Sequence, residues 1–246
     1  MTEGFFSIEG EDRPSRWLIT CDHASNRVPE WIGGGSLGLP AEDMARHIAY
    51  DVGAAGVTRE LARLMEAPAI LSDFSRLVID PNRGEDDPTL VMRLYDGTIV
   101  PANRDVTDQK IGERLDRLYR PYHAGYARLA AARPDRAICA IHSFTPQLRG
   151  RPPRPWQVGV LFSHLDERLA HPLIRACRDA GWVTGENEPY AGHLDGDSID
   201  RHALRYGRPN VLIELRNDLI GTPQGQREWA ANLAPILSRL LADTGL

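Results

Sequence analysis

Residues 137–144 read AICAIHSF, an apolar and β-branched run that ends in a histidine and a serine. A short run that is apolar at odd and even positions alike reads as a strand covered on both faces, as strands of parallel sheets are. Four further runs have the same character: WLITC at 17–21, PAILSDF at 68–74, WQVGVLFS at 156–163 and NVLIEL at 210–215. Between them lie stretches with helical spacing, at roughly 41–65, 108–132, 165–180 and 224–242. In the second the apolar positions are Ile111, Leu115, Leu118 and Tyr122, and in the last Trp229, Leu233, Ile236, Leu237 and Leu240. Strands alternating with helices predict an α/β layer fold around a largely parallel sheet.

The bulk properties fit one such unit. At 246 residues, with 42% hydrophobic and 26% charged residues, the chain has enough apolar surface for a core, and a single domain over 1–246 is expected. A net charge of -5 with scattered arginines gives no basic stripe, which argues against a nucleic-acid partner. No segment approaches the length of a membrane span, and the opening MTEGFFSIEGEDRPSRW has neither a basic start nor a long apolar stretch. A cytoplasmic location is the expectation. Cys21, Cys139 and Cys177 are odd in number, widely spaced and set in apolar contexts, so they read as buried thiols rather than a disulfide framework. Two segments are irregular: 84–107, and RGRPPRP at 149–155, whose arginines suit either a solvated turn or a gate for an anionic ligand.

In sheets of this kind ligands gather at the carboxyl ends of strands. The first run is followed by Asp22-His23-Ala24-Ser25-Asn26, the AICAI run by His142-Ser143, and the last run contains Glu214 and continues into Arg216-Asn217-Asp218. Two imidazoles and a carboxylate at three strand ends are what a hydrolytic metal site requires: neutral nitrogen ligands, an open position for water, and a base. Either histidine alone is equally readable as a hydrogen-bonded structural residue. Glu214, between Ile213 and Leu215, is harder to explain that way, because a buried carboxylate needs a cation or a reacting group beside it. Arg76 and Arg83 flank an apolar segment, so at least one guanidinium points inward toward an anion. That anion is either a substrate carboxylate or an internal partner such as Asp73 or Asp80.

The runs CDHASNRVP, HIAYDVGA, FSRLVIDPNR, IHSFTP, NEPYAG and YGRPNVLIELRNDL, in this order over most of the chain, resemble the N-formylglutamate amidohydrolase family. That family is similar, more distantly, to zinc carboxypeptidases and aspartoacylase. The resemblance implies a three-layer α/β/α fold of the zinc-carboxypeptidase-like (phosphorylase/hydrolase-like) type, with a mixed, largely parallel sheet of about eight strands. It also implies a divalent metal, zinc, held by His23 and His142, Glu214 as general base, Arg76 as the group that polarises the carbonyl, and Asn82 with Arg83 as the grip on the substrate carboxylate. The relatives carry a glutamate three residues after the first histidine, where this chain has Asn26, a weak ligand. Asp51 is the preferred replacement; it lies four residues from His47, on one face of the expected helix, and pairing with His47 is the competing reading. Tyr190 falls where the relatives place a substrate-binding tyrosine, with aromatic packing as the competing reading, and His123 and His202 are candidates for groups behind the site.

The implied reaction is hydrolysis of N-formyl-L-glutamate to formate and glutamate, with a small-molecule N-acyl amino acid as substrate and no role for nucleic acid or membrane. Reading the glutamate side chain needs one more cation, for which Arg149, Arg151, Arg154 and Arg216 all qualify. Three other readings compete: a deacylase or carboxypeptidase-like hydrolase of another N-acyl amino acid or small peptide, a thiol hydrolase using Cys21 beside His23, and an anionic-metabolite-binding module without catalysis.

Overall fold

The structure, a computed structural model, describes residues 4–246. The strands are β1 (Phe6–Glu9), β2 (Trp17–Cys21), β3 (Ala69–Ser72), β4 (Leu94–Tyr95), β5 (Thr98–Ile99), β6 (Ala137–Phe144), β7 (Val158–Leu161), β8 (Thr184–Glu186) and β9 (Asn210–Arg216). The helices are α1 (Ala41–Met44), α2 (Ala54–Leu64), α3 (Asp108–Arg114), α4 (Arg120–Ala131), α5 (Ala170–Asp179), α6 (Ser198–His202) and α7 (Pro223–Asp243). Seven strands form the central sheet in the order β1-β3-β2-β6-β9-β7-β8, one fewer than the family resemblance implies, and β4 with β5 makes a separate ribbon. The pairs β2–β3, β2–β6, β6–β9 and β7–β8 are parallel, whereas β1–β3 and β7–β9 are antiparallel. The sheet is therefore mixed and largely parallel, as expected.

All five apolar runs became strands, and their alternation sorts the core. Ile19 and Cys21 of β2, Cys139 and Ile141 of β6, and Val211 and Ile213 of β9 pack into one cluster with Leu61 of α2, Leu173 of α5 and Leu233 of α7. Leu18, Ile138, Ala140 and Leu212 face the other way, against Tyr122, Tyr126 and Leu129 of α4. Helices thus cover both sheet faces. The three cysteines are buried and free. No described helix is long and apolar enough to cross a membrane.

The helix expected over 41–65 is broken. After α1 the chain turns through 45–53 and resumes as α2, because Gly53 adopts φ +83° and a side chain there would meet the Ile220 carbonyl oxygen at 2.1 Å. The backbone N–H of Asp51 donates to the His23 carbonyl at 2.9 Å instead of to a helical neighbour. The 108–132 stretch is helical throughout, with one wider turn at Leu115–Tyr119. Strands β1 and β8 and the β4–β5 ribbon were not read from the sequence; they are short and only partly buried, so they carry no continuous apolar run.

Candidate metal centre and catalytic cleft

Register brings the first two site residues together. In the parallel pair β6–β9, His142 lies opposite Glu214, and both side chains fall on the sheet face of Ala140 and Leu212. His23 follows β2, the other neighbour of β6. The two imidazole rings are 5.1 Å apart. Asp51 completes the group: its Oδ2 lies 3.3 Å from His23 Nδ1 and 2.9 Å from His142 Nδ1, and it accepts from the Ser143 backbone N–H at 3.2 Å. All three side chains are buried, and each offers one ligand atom to a common point. Asn26 takes no part, being exposed and donating to the Met44 carbonyl at 2.9 Å. Asp51 enters the site, but not by the route expected from the sequence: 45–53 is not helical, and His47 lies 3.6 Å from Asp96 rather than beside Asp51.

The second nitrogen of each ring also faces a carboxylate. His23 Nε2 is 2.7 Å from Asp80 Oδ1, and His142 Nε2 is 3.5 Å from Asp22 Oδ2. Asp22 accepts from the Tyr122 hydroxyl at 2.6 Å, which fixes its orientation. A carboxylate behind an imidazole holds the proton on that side and leaves the other nitrogen's lone pair for a cation. Two lone pairs and the Asp51 carboxylate suit a divalent metal such as zinc. Glu214 Oε2, on the cleft side, is buried without a hydrogen-bond partner, as suits a carboxylate beside a cation site.

Electrostatics follow from burying this many charges together. Burial works against the Asp51 carboxylate, but the charges of His23 and His142 outweigh it and hold its pKa below the usual range. Burial also opposes protonation of His142, yet hydrogen bonds to Asp22 and Asp51 raise its pKa well above that of ordinary histidine. For Glu214 burial wins: its pKa rises to about 7, with Asp51 adding to the rise and His142 opposing it.

The group opens on a cleft of about 430 Å³ whose lining includes Arg76, Asn82, Arg83, Tyr190 and Glu214. Of the two alternatives for Arg76, the structure has the internal one. Its Nη2 is 2.8 Å from Asp80 Oδ2 and its Nη1 is 3.6 Å from Asp51 Oδ1, so it is a clamp on the carboxylates as well as a wall of the cleft. Asp73 pairs with Arg27 instead, at 2.8 Å. Arg83 donates to the Asn82 carbonyl at 2.7 Å and to Thr89 at 3.2 Å, with no carboxylate partner among the described residues. Asn82 is placed by its own Oδ1, which accepts from the Ser198 N–H at 3.1 Å, and by its backbone N–H, which donates to Asp80 at 2.9 Å.

Arg216 is not brought to the cleft: its guanidinium binds Asp218 at 2.8 Å and the Trp156 carbonyl at 3.4 Å. His123 and His202 stand behind the Asp80-Pro81-Asn82 turn. His123 Nε2 donates to the Pro81 carbonyl at 3.0 Å, and its Nδ1 meets His202 Nε2 at 2.8 Å. Burial lowers their pKa values to about 4 and about 2, so both are neutral. Cys21 is no nucleophile: burial pushes its thiol pKa well above the ordinary value. Sequence reasoning named Asp22 in the polar cluster after β2 but gave it no role, and placed Asp80 only as an internal partner for Arg76 or Arg83. Both are carboxylates in or after apolar runs, the signal that singled out Glu214.

The chain is similar to several known proteins. A curated protein named N-formylglutamate deformylase, from Pseudomonas putida, is 28% identical over 220 residues, covering 78% of this chain and 74% of its own. The crystal structure of gene product Atu2144 from Agrobacterium tumefaciens superposes with a TM-score of 0.90 at 32% identity, covering 98% of this chain and 96% of that one. An N-formylglutamate amidohydrolase from Ralstonia eutropha JMP134 shares the fold, with a TM-score of 0.73 at 19% identity over 97% of this chain and 98% of its own. The model of one family matches residues 15–221, and on that match the chain belongs to the N-formylglutamate amidohydrolase family, a family of amide hydrolases.

Proposed function

We propose that residues 1–246 act as one domain that hydrolyses N-formyl-L-glutamate to formate and L-glutamate, with a divalent metal, zinc, held by His23, Asp51 and His142. The observation that carries this reading is the convergence of two imidazole Nδ1 atoms on Asp51 Oδ2 at the floor of a cleft that Glu214 also lines. When bound, such an ion polarises an acyl oxygen and makes water acidic enough to attack near neutral pH.

The chain's own residues supply the rest. Glu214 takes the proton of the attacking water and returns it to the leaving nitrogen, and a pKa of about 7 suits a group that must do both. Asp80 and Asp22 hold His23 and His142 by their Nε2 atoms and so fix which nitrogen faces Asp51. Arg76 keeps Asp80 and Asp51 in place and contributes positive charge to the cleft wall, where an oxyanion would develop. Arg83, free of carboxylate partners among the described residues, binds the substrate α-carboxylate together with Asn82, and Tyr190 closes the cleft over it.

The test is metal analysis of the purified protein combined with measurement of formate released from N-formyl-L-glutamate, and of acetate released from N-acetyl-L-glutamate for comparison. About one zinc per chain is expected, together with formate release that stops on chelation and returns with zinc. Release of acetate in preference to formate would reassign the substrate to another N-acyl amino acid. Hydrolysis that persists without any metal would overturn the reading.

A further inference from the structure

Two guanidinium groups around the cleft are already neutralised. Arg76 has Asp80 and Asp51, and Arg46 has Asp43 and Asp96 at 2.7 Å each. Arg83 lacks a carboxylate among the described residues, and so does one other arginine near the cleft, Arg154 of the RGRPPRP loop. Its Nη1 donates to the Tyr190 hydroxyl at 3.1 Å and to the Thr145 carbonyl at 3.2 Å. Its guanidinium lies 4.9 Å from the centre of the Tyr190 ring and 5.8 Å from that of Phe144.

The loop is built to keep it there. Phe144 ends β6, only two residues beyond His142, and the Arg154 backbone N–H donates to the Pro146 carbonyl at 2.8 Å, folding 146–154 back on itself. The prolines at 152, 153 and 155 stiffen that return. Arg149 and Arg151 are exposed, whereas Arg154 is half-buried against a residue that lines the cleft.

The charge of Arg154 reaches groups inside. His47 lines the cleft with a buried Nε2 that has no hydrogen-bond partner. Burial lowers its pKa, Asp96 opposes the shift, and the charges of Arg46, Arg76 and Arg154 add to it. Burial raises the Tyr190 pKa with help from Glu214, and Arg154 draws it back. A half-buried guanidinium whose nearest partners are a hydroxyl, a carbonyl and two aromatic rings has no carboxylate to neutralise it, and an anion reaching it would supply one.

We propose that Arg154, held in place by Tyr190, reads the second carboxylate of a dianionic substrate and so sets a preference for acidic over neutral N-acyl amino acids. The assignment rests on the function proposed above, in which Arg83 and Asn82 take the α-carboxylate. Two unneutralised guanidinium groups then match two carboxylates. Of the four arginines that the sequence offers for this role, Arg154 packs on Tyr190 of the cleft lining, Arg216 is bound to Asp218, and Arg149 and Arg151 face solvent.

The test compares kcat/KM for N-formyl-L-glutamate with that for N-formyl-L-glutamine, which has the same length and no side-chain charge. Zinc-loaded wild type, Arg154→Met and Arg154→Lys are assayed side by side. Loss of a charge-assisted contact should lower the Arg154→Met value for N-formylglutamate by about 10- to 100-fold, mainly through KM, and lower that for N-formylglutamine far less. Arg154→Lys, which keeps the charge, should retain the order of preference. An equal loss on both substrates would make Arg154 only a brace for the Tyr190 loop, and no loss on either would move the anion contact elsewhere; both overturn the assignment while leaving the amide hydrolysis standing. A wild type that hydrolyses neither substrate overturns the proposed function, and this assignment with it.

Discussion

Glu214 sits on β9 opposite His142, with one carboxylate oxygen buried and without a partner. Desolvation raises its pKa from 4.5 to about 7, so in the metal-free protein the charged form is disfavoured by the fold while the proposed chemistry needs that form as a base. The sign of the linkage is fixed by this shift. A carboxyl whose folded pKa lies above its unfolded value stabilises the fold fully below the unfolded value, and that contribution is lost as pH rises through the folded value. Glu214→Gln should therefore lower turnover by about 100- to 10,000-fold and yet melt higher than wild type in the metal-free state. The gap in thermal midpoint should widen between about pH 5 and about pH 8. Melting curves of the two metal-free proteins across that range test this, and a gap that narrows with pH would contradict it. The same physics shows what was legible residue by residue. A glutamate between Ile213 and Leu215 declares its burial in sequence, whereas the partners of His23 and His142 do not, because Asp80 is brought to His23 across 57 positions by the sheet alone.

At the scale of elements, composition exposed the five buried strands, since each is covered on both faces and lies in a largely apolar run. It did not expose the break between α1 and α2. Local spacing put His47 and Asp51 on one helical face, but a long-range contact decided the conformation: Gly53 packs against the Ile220 carbonyl, and Asp51 turns toward the imidazoles. Strand β7 makes a comparable demand. Gly159 lies opposite Glu214 in the antiparallel pair, and a side chain there would meet the Glu188 carbonyl oxygen at 2.2 Å and the Glu214 Cβ at 3.3 Å. The first contact is with backbone and cannot swing aside. Gly159→Ala should displace the 187–192 segment that carries Tyr190, with a cost of about 1–3 kcal/mol in unfolding free energy and a larger proportional loss of turnover. Urea denaturation alongside the formate assay measures both, and a variant with full activity would show that this close approach does not hold the cleft in shape.

Taken over the whole molecule, the sheet gathers at one end four buried carboxylates, Asp22, Asp51, Asp80 and Glu214, against two imidazoles and the guanidinium of Arg76. Sequence alone marked three of these seven as ends of strands, and only the order β3-β2-β6-β9 explains why the others join them: adjacent parallel strands end together, so the segments that follow them meet. Such a cluster repels itself unless protons or a cation offset the excess. In the metal-free chain the proton goes to His142, whose pKa is raised well above the ordinary value through its bonds to Asp22 and Asp51 once the opposing effect of burial is overcome. A dication taken up by His23, Asp51 and His142 must displace that proton, so binding should strengthen as pH rises. Zinc at about 100 times its dissociation constant should stabilise the fold by about 2.7 kcal/mol, and at one fixed zinc concentration the rise in thermal midpoint should be larger at about pH 8 than at about pH 6. His142→Ala removes both a ligand and the competing proton site, so its shift should be small at both values. A zinc-induced shift of equal size in the variant and the wild type would place the ion elsewhere in the protein, with His193, Asp195 and Asp200 the other group of candidate ligands among the described residues.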